Sequence, residues 1–295
     1  MIKIKLKKID FFSIALIIFL VLFSLSLLYL LFWAVITAFK TQDEFRLNYL
    51  GLPKYWTFTN FKTIAENMKV RIVPQDGGFP WYANVGDMVL NTLMYVFGCA
   101  FLQTITPCIV AYAVSKFNFK FNMFLDALVL VVISLPIVGS SVSELKLLMD
   151  LGLYDSMFGM WLQKTNFAGL YYFIFCAAFR SVSKSYYEAA YLDGANELVV
   201  MLVIGLPMVI YTAFAVFLLQ FIAYWNDYQT VLLYLPSWPT LSYGLFNISR
   251  STTQELNNTP TRMAGAMIII IPTTIIFSLF SRQLMGNISM GGVKE

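Results

Sequence analysis

Three side chains in an apolar run could do polar work inside a membrane: Gln220, Asn226 and Asp227, with Gln229 just beyond. Polar groups in such surroundings are costly, so they are candidates for function by default. On a 3.6-residue period Gln220, Asn226 and Asp227 fall within roughly one helix face and could line a translocation path. The other reading is that "WND" (225–227) marks a break in the helix, with Asp227 satisfying backbone or a neighbouring helix. The aromatic residues Trp225, Tyr228, Tyr234 and Trp238 cluster at the same end of the run, where rings stack on a solute or settle at the membrane interface. Asp126, one turn into another apolar run, reads as a structural cap or loop contact.

Several chemistries are excluded. The chain has no His, which removes imidazole acid–base catalysis, His proton relays and His-based metal sites. Its three Cys (99, 108 and 176) lie in apolar segments without C-x-x-C spacing and read as buried, reduced thiols. No G-x-x-x-x-G-K-[ST] occurs, so the chain carries no phosphate-binding P-loop. Of its 295 residues 59% are hydrophobic and 12% charged, against about 25% charged in a soluble domain. The net charge of +4 owes much to Lys3, Lys5, Lys7 and Lys8 and says nothing for nucleic acid.

One polar interruption stands out: "EAAYLDGANELVVMLVIGLP", Glu188 to Pro207. Its pattern predicts two short helices and a turn. Gly194 takes the left-handed conformation that ends the first helix, and Asp193 is placed to cap the second. Ala189 and Ala190 leave a surface that another protein can approach closely. "ELVVMLVI" is too apolar for a free helix and should lie against the bundle. Pro207 suits the first turn of the next helix, where its missing N–H costs nothing. From local chemistry alone, a plain linker between two spans explains the stretch as well.

The elements that must position these residues are membrane helices, six by hydropathy. They cover roughly 11–39; 88–114, with Pro107 inside; 123–143, with Pro136; a short fourth; 207–235, interrupted near the polar cluster; and 263–284, with Pro272. The fourth, Phe167 to Phe179, must extend to about 183 or draw on residues before Lys164. The lysine cluster before the first span predicts a cytoplasmic amino terminus under the positive-inside rule. The loops 115–122 and around Glu188 then fall inside, as does the carboxyl terminus, and the loop 40–87 falls outside with "GLPKYW" as a turn. No segment is long enough for a separate soluble domain.

Glu188-Ala189-Ala190, then Gly194 between Asp193 and Ala195, then Ile204 to Pro207 as I-x-L-P, resemble the EAA loop of ABC-importer permeases. The approach "FRSVSKSYYEAA" is similar as well. The match is closest to the carbohydrate branch, the inner-membrane permeases similar to the smaller maltose-transporter subunit. "TAFKTQDEF", "GLPKYWTFTNF", "LLMDLGLYDS", "WNDY", "PTLSYGLFNI", "MAGAMIIIIP" and the tail "SMGGVKE" resemble that branch across most of the chain. Met201 stands where the family usually has Phe, and Tyr211 where a second Pro is common; both bear on loop packing alone.

The resemblance implies an all-α polytopic fold: a type I ABC importer transmembrane domain of six helices over 11–285, with cytoplasmic segments 1–10 and 286–295. It implies a coupling loop at about 184–207, in which Glu188, Ala189, Ala190, Asp193, Gly194 and Ala195 dock on an ATPase. It implies a bacterial inner (plasma) membrane location and half of the translocation pathway of a carbohydrate importer, with Gln220, Trp225, Asn226, Asp227 and Tyr228 as path candidates for sugar hydroxyls. The implied partners are a second homologous permease, two cytoplasmic ATPase subunits, an extracytoplasmic substrate-binding protein and the carbohydrate, with no nucleic acid. ATP and Mg belong to the ATPase, and this chain binds no cofactor and catalyses nothing covalent. The rival is an ion-coupled secondary transporter using Asp227 or Asp126, which leaves the EAA loop unexplained. An intramembrane enzyme lacks any catalytic constellation here.

Overall fold

The computed structural model describes residues 11–74, 77–117, 119–135, 139–253 and 255–288. The amino-terminal lysines, Asn118, Pro136 and the tail 289–295 lie outside the described residues. The chain divides into two compact units: Met1–Asn67 with Ile248–Ile268, and Met68–Asn247 with Ile269–Glu295.

In the first unit, α1 (Phe11–Ala38) is an uncharged run with neither Gly nor Pro. At about 1.5 Å per residue it is long enough to cross a bilayer. It is apolar all round and exposed along its length until Ile36, Thr37 and Ala38, as suits a lipid-facing span. After it come α2 (Gln42–Leu47), capped by Thr41, and α3 (Thr59–Asn67). Asn60 ties α3 to the end of α1: its amide donates to the carbonyls of Ala38 (2.8 Å) and Lys40 (2.7 Å). Lys40 is fully buried, and its ammonium donates to the Asn48 carbonyl at 2.7 Å. The helix predicted over 11–39 is present, and "GLPKYW" is a non-helical stretch with bends at Gly51, Lys54 and Tyr55.

The second unit opens with a hairpin, β1 (Val70–Ile72) antiparallel to β2 (Trp81–Ala83). Then α4 (Val85–Lys116) starts on a reciprocal cap between Asn84 and Asp87 and carries Pro107 in its interior. It is followed by α5 (Asn122–Ser134), α6 (Ser140–Asp150), α7 (Met157–Gln163) and α8 (Leu170–Arg180). The third span is therefore not one helix over 123–143. α5 stops at Ser134 because the residue before a proline is pushed out of the helical region, and Leu135 is extended (ψ 113°). Gly139, at φ +88°, starts the next helix. The fourth span does not reach 183 either. Before Lys164 stands a separate helix, α7, joined to α8 through non-helical residues 164–169, and α8 is one of the shorter apolar helices.

The chain continues through α9 (Lys184–Leu192), α10 (Glu197–Val199), a π-helical stretch (Val200–Gly205) and α11 (Leu206–Met208). α12 (Ile210–Trp225) leaves at a 71° bend. Pro207 and the π stretch account for the bend, since both break the ordinary helical ladder. After residues 226–228 comes α13 (Gln229–Tyr234), then α14 (Leu241–Ser249) and α15 (Thr259–Ile288) with Pro272 inside. α4 packs along α8 on one side and α12 on the other. The small residues Cys108, Ala111 and Cys176 let α4 and α8 approach, with Tyr112, Phe175 and Phe179 filling the space between. All three cysteines are buried free thiols, as their apolar settings predicted.

Among the described residues three helices are long and apolar enough to span: Phe11–Ala38, Val85–Lys116 and Thr259–Ser281. The bent pair Glu197–Met208 and Ile210–Trp225 makes up to four, and α5 and α8 are shorter apolar helices.

Candidate functional site

The interruption at Glu188–Pro207 folds as two short arms. Ser183 caps α9 through the Ser185 N–H (3.4 Å). The helix ends in a left-handed glycine motif: Gly194 N–H donates to the Tyr191 carbonyl and Ala195 N–H to the Ala190 carbonyl, each at 3.0 Å. Gly194 has φ +81°, as expected, and nothing lies within 4 Å of where its Cβ would be. Asp193 does not cap the second arm. It is the C-cap of the first, and Asn196 is the N-cap of the second, its Oδ1 accepting the Val199 N–H at 3.0 Å. The Schellman turn carries the chain two residues further before helix resumes, so the capping position falls on Asn196.

The arms are two-sided. On α9, Tyr187 and Ala190 are buried against Tyr112 and Phe179, while Glu188 and Ala189 are exposed and Leu192 is 89% exposed. Only one of the two alanines is therefore available to a partner. A helix period of 3.6 turns Ala190, three residues after Tyr187, onto the buried face. On the second arm Val200 is fully buried, while Leu198, Leu202 and Val203 remain exposed. Gly205 sits so close to α4 that a Cβ there would lie 2.7 Å from Tyr112 Cε2.

The polar cluster surrounds the break between α12 and α13. Asp227 Oδ1 accepts the Thr230 N–H at 3.0 Å, which caps α13, and Oδ2 accepts the Tyr95 hydroxyl at 2.9 Å from α4. The Tyr224 hydroxyl donates to Gln103 Oε1, also on α4. Trp225 is buried; its indole N–H donates to the Ile269 carbonyl at 3.1 Å, and its own carbonyl accepts the Ser242 hydroxyl. Gln220 is buried. Asn226 is exposed, with its amide on the Ile222 carbonyl at 2.8 Å. The Tyr228 ring stacks on Phe246 at 4.5 Å.

Residues 81–289 match the model of one protein family, the binding-protein-dependent transport system inner membrane component. The chain belongs to this family. The match contains both the two-armed segment and the polar break. This permease is 23% identical over 276 residues to a diacetylchitobiose uptake system permease of Streptomyces coelicolor, covering 92% of the chain and 86% of that protein. It is 25% identical over 288 residues to an arabinooligosaccharides transport system permease of Bacillus subtilis, covering 96% of each. Its fold matches a chain of a bacterial ABC transporter for the acidic polysaccharide alginate, with TM-score 0.72 and 22% identity over 92% of this chain and 95% of that one. The permease is thus a mostly helical, multi-pass inner-membrane protein sharing the fold of an ABC importer permease.

Within the permease, Glu188 and Ala189 are exposed on α9 and Asp193 and Gly194 are exposed at the turn that ends it, with Ala195 half-buried. Of the path candidates, Gln220 and Trp225 are packed inside the chain, Asn226 is exposed, and Asp227 and Tyr228 are half-buried at the break. Asp126 contacts α8 rather than a cap or loop: it accepts the Tyr172 hydroxyl at 2.7 Å and pairs with Arg180 at 3.4 Å. Sequence reasoning missed Tyr95, Gln103 and Tyr172, the partners of these polar groups. Nothing in the sequence distinguishes Tyr95 and Tyr172 among 17 Tyr, whereas Gln103, a polar side chain in an apolar run, carried the same signal as Gln220. Asn196 was legible, because Asn followed by Glu197 before an apolar run is a helix-start pattern.

Proposed function

We propose that this permease is one transmembrane half of an ATP-driven, binding-protein-dependent importer for carbohydrate, with an oligosaccharide as the solute. The observation that carries the reading is the two-armed segment. It lies inside the family match, with a left-handed glycine turn, an outward Glu188 and an inward Tyr187. The arrangement suits a rigid lever: one face is locked into the helix core, and the other is free to dock. Glu188, Ala189, Asp193 and Gly194 form the docking turn, with Ala190 and Ala195 behind it, and Glu188 offers a carboxylate for a charge-assisted contact with a basic partner residue. The saccharide names of the two permease relatives support the choice of solute.

In this reading the chain crosses the membrane six times over 11–285, with both termini and the segment 184–207 on the cytoplasmic side. Segments 1–10 and 286–295 are cytoplasmic tails. The partners are a second homologous permease, two ATPase subunits that bind ATP and Mg, and an extracytoplasmic substrate-binding protein. ATP-driven movement of the lever rocks one permease against the other and exchanges outward- and inward-open states. At the break in the fifth span, Asp227 fixes the geometry, Asn226 and Tyr228 are presented to sugar hydroxyls, and Gln220 and Trp225 back them.

The test is uptake in cells depleted of ATP with the ion gradient held intact. Uptake should cease. Uptake that persists on the gradient alone contradicts the reading and assigns the chain to ion-coupled transport.

A further inference from the structure

Lys116, the last residue of α4, has its Nζ 3.7 Å from the centroid of the Tyr187 ring and 5.1 Å from that of Tyr191. Both rings belong to α9 and stand four residues apart, so they line one face a turn apart. One ammonium therefore engages two rings of the same helix, through the attraction of a cation for the negative face of an aromatic ring. Beyond the Gly194 turn, the Tyr191 hydroxyl donates to Glu197 Oε2 at 2.5 Å, which ties the second arm to the same contact. Burial, and then the Glu197 carboxylate, push the Tyr191 phenol above its ordinary range, so it keeps its proton and its role as donor.

The rest of this junction is only partly filled. The Tyr112 ring meets Tyr187 at 6.4 Å between centroids. Beside it lies a cavity of about 340 Å³ walled by Ser115, Arg180, Lys184 and Glu188. The end of α4 and the flank of α9 thus meet beside an open cleft, while Tyr187 itself packs on Tyr112. The ammonium of Lys116 is a polar link from the end of α4 to α9 at this cleft. At the other end of the same helix, α4 carries Tyr95 and Gln103 to Asp227 and Tyr224 at the break of the fifth span. From Lys116 to Tyr95 is about 30 Å along the helix axis.

We propose that Lys116 is a positioning residue for coupling: held by Tyr187 and Tyr191, it makes α4 follow the lever, so that movement delivered to α9 reaches the Tyr95–Asp227 contact. This rests on the reading of α9 as the ATPase-coupling helix.

The experiment uses the whole complex, purified through a tag on this chain and reconstituted with its binding protein. Uptake per assembled complex and ATP hydrolysed per solute moved are measured together. Lys116→Met, which keeps the stem and removes the charge, should assemble normally, keep its basal ATPase, and lose roughly three- to tenfold in uptake per complex. Lys116→Arg should restore most of it. Tyr187→Phe keeps the ring and should behave as wild type, while Tyr187→Leu, which also loses the ring packing on Tyr112, should lose at least as much uptake per complex as Lys116→Met. The double variant Lys116→Met/Tyr187→Leu should lose clearly less than the two single losses combined, because the Lys116–Tyr187 contact is common to both. Wild-type uptake per complex in Lys116→Met overturns the proposal. So does a loss confined to assembly, or full additivity in the double variant. Failure of the coupling reading itself looks different: the wild-type complex would then transport without ATP.

Discussion

Tyr95 and Asp227, 132 positions apart in sequence, are joined by a 2.9 Å hydrogen bond from the phenol to Oδ2. Oδ1 of the same carboxylate caps α13 through the Thr230 N–H. One side chain thus sets the start of a helix and fixes that start to α4. Tyr95 is fully buried, so removal of its acceptor leaves a hydroxyl with no route to water.

The expected effects follow from that arrangement. Asp227→Ala should destabilise the permease by about 1–3 kcal/mol, the cost of leaving a buried donor unsatisfied together with a lost cap. Asp227→Asn keeps an oxygen for the cap and should lose less. Tyr95→Phe removes the donor and should cost about 1 kcal/mol. Thermal unfolding of the purified protein orders the three. Asp227→Ala with unchanged stability but no uptake per complex would mean that the residue serves the solute alone.

Asp126 offers a second carboxylate to the rival account of ion-coupled transport. Its bonds to Tyr172 and Arg180 are those of a pin between α5 and α8. Asp126→Asn still accepts from Tyr172 and loses only a part-exposed ion pair, a kind that contributes about 0–1 kcal/mol. Uptake per complex should therefore stay within about twofold of wild type. Its abolition in an assembled complex would give Asp126 a role in translocation.

The proposed orientation is open to direct labelling. Glu255→Cys, between α14 and α15, should react with an impermeant thiol reagent on intact cells. Lys120→Cys, between α4 and α5, should react only after permeabilisation. Both positions are exposed, and the native Cys99, Cys108 and Cys176 are buried, so background labelling should be low. The reverse pattern would put the segment at Glu188 on the wrong side for an ATPase.

What could be read in advance depended on the range of the interaction. The Gly194 turn and the interruption near Asp227 are local matters of backbone chemistry, and each is where its residues predicted; Pro207, expected in the first turn of the fifth span, instead ends the stretch Glu197–Met208 just before the bend into α12. Hydropathy alone carried the third span too far. It counts Leu135 as apolar and cannot weigh the restriction that Pro136 places on it, nor the left-handed Gly139 after it. The fourth helix, expected to reach about 183 or to draw on residues before Lys164, ends at Arg180, and the non-helical residues 164–169 separate it from α7. The Tyr95, Gln103 and Tyr172 contacts could not be read at all. Each joins helices whose adjacency is a product of packing, with 132, 121 and 46 residues between partners.

Gly194 gives the most direct test of the central claim, that the segment around Glu188 couples this permease to a separate ATPase. Its φ of +81° suits glycine, is tolerated by Asn and strains branched residues, while the space beside it is open. The measurement is the amount of ATPase subunit retained on the tagged permease, with uptake per permease alongside, for Gly194→Asn and Gly194→Val. Because the turn is exposed and unpacked, the membrane part should fold in both, shown by unchanged thermal unfolding. Retention and uptake should stay near wild type in Gly194→Asn and be lost in Gly194→Val. Full retention and normal uptake in Gly194→Val would contradict the account.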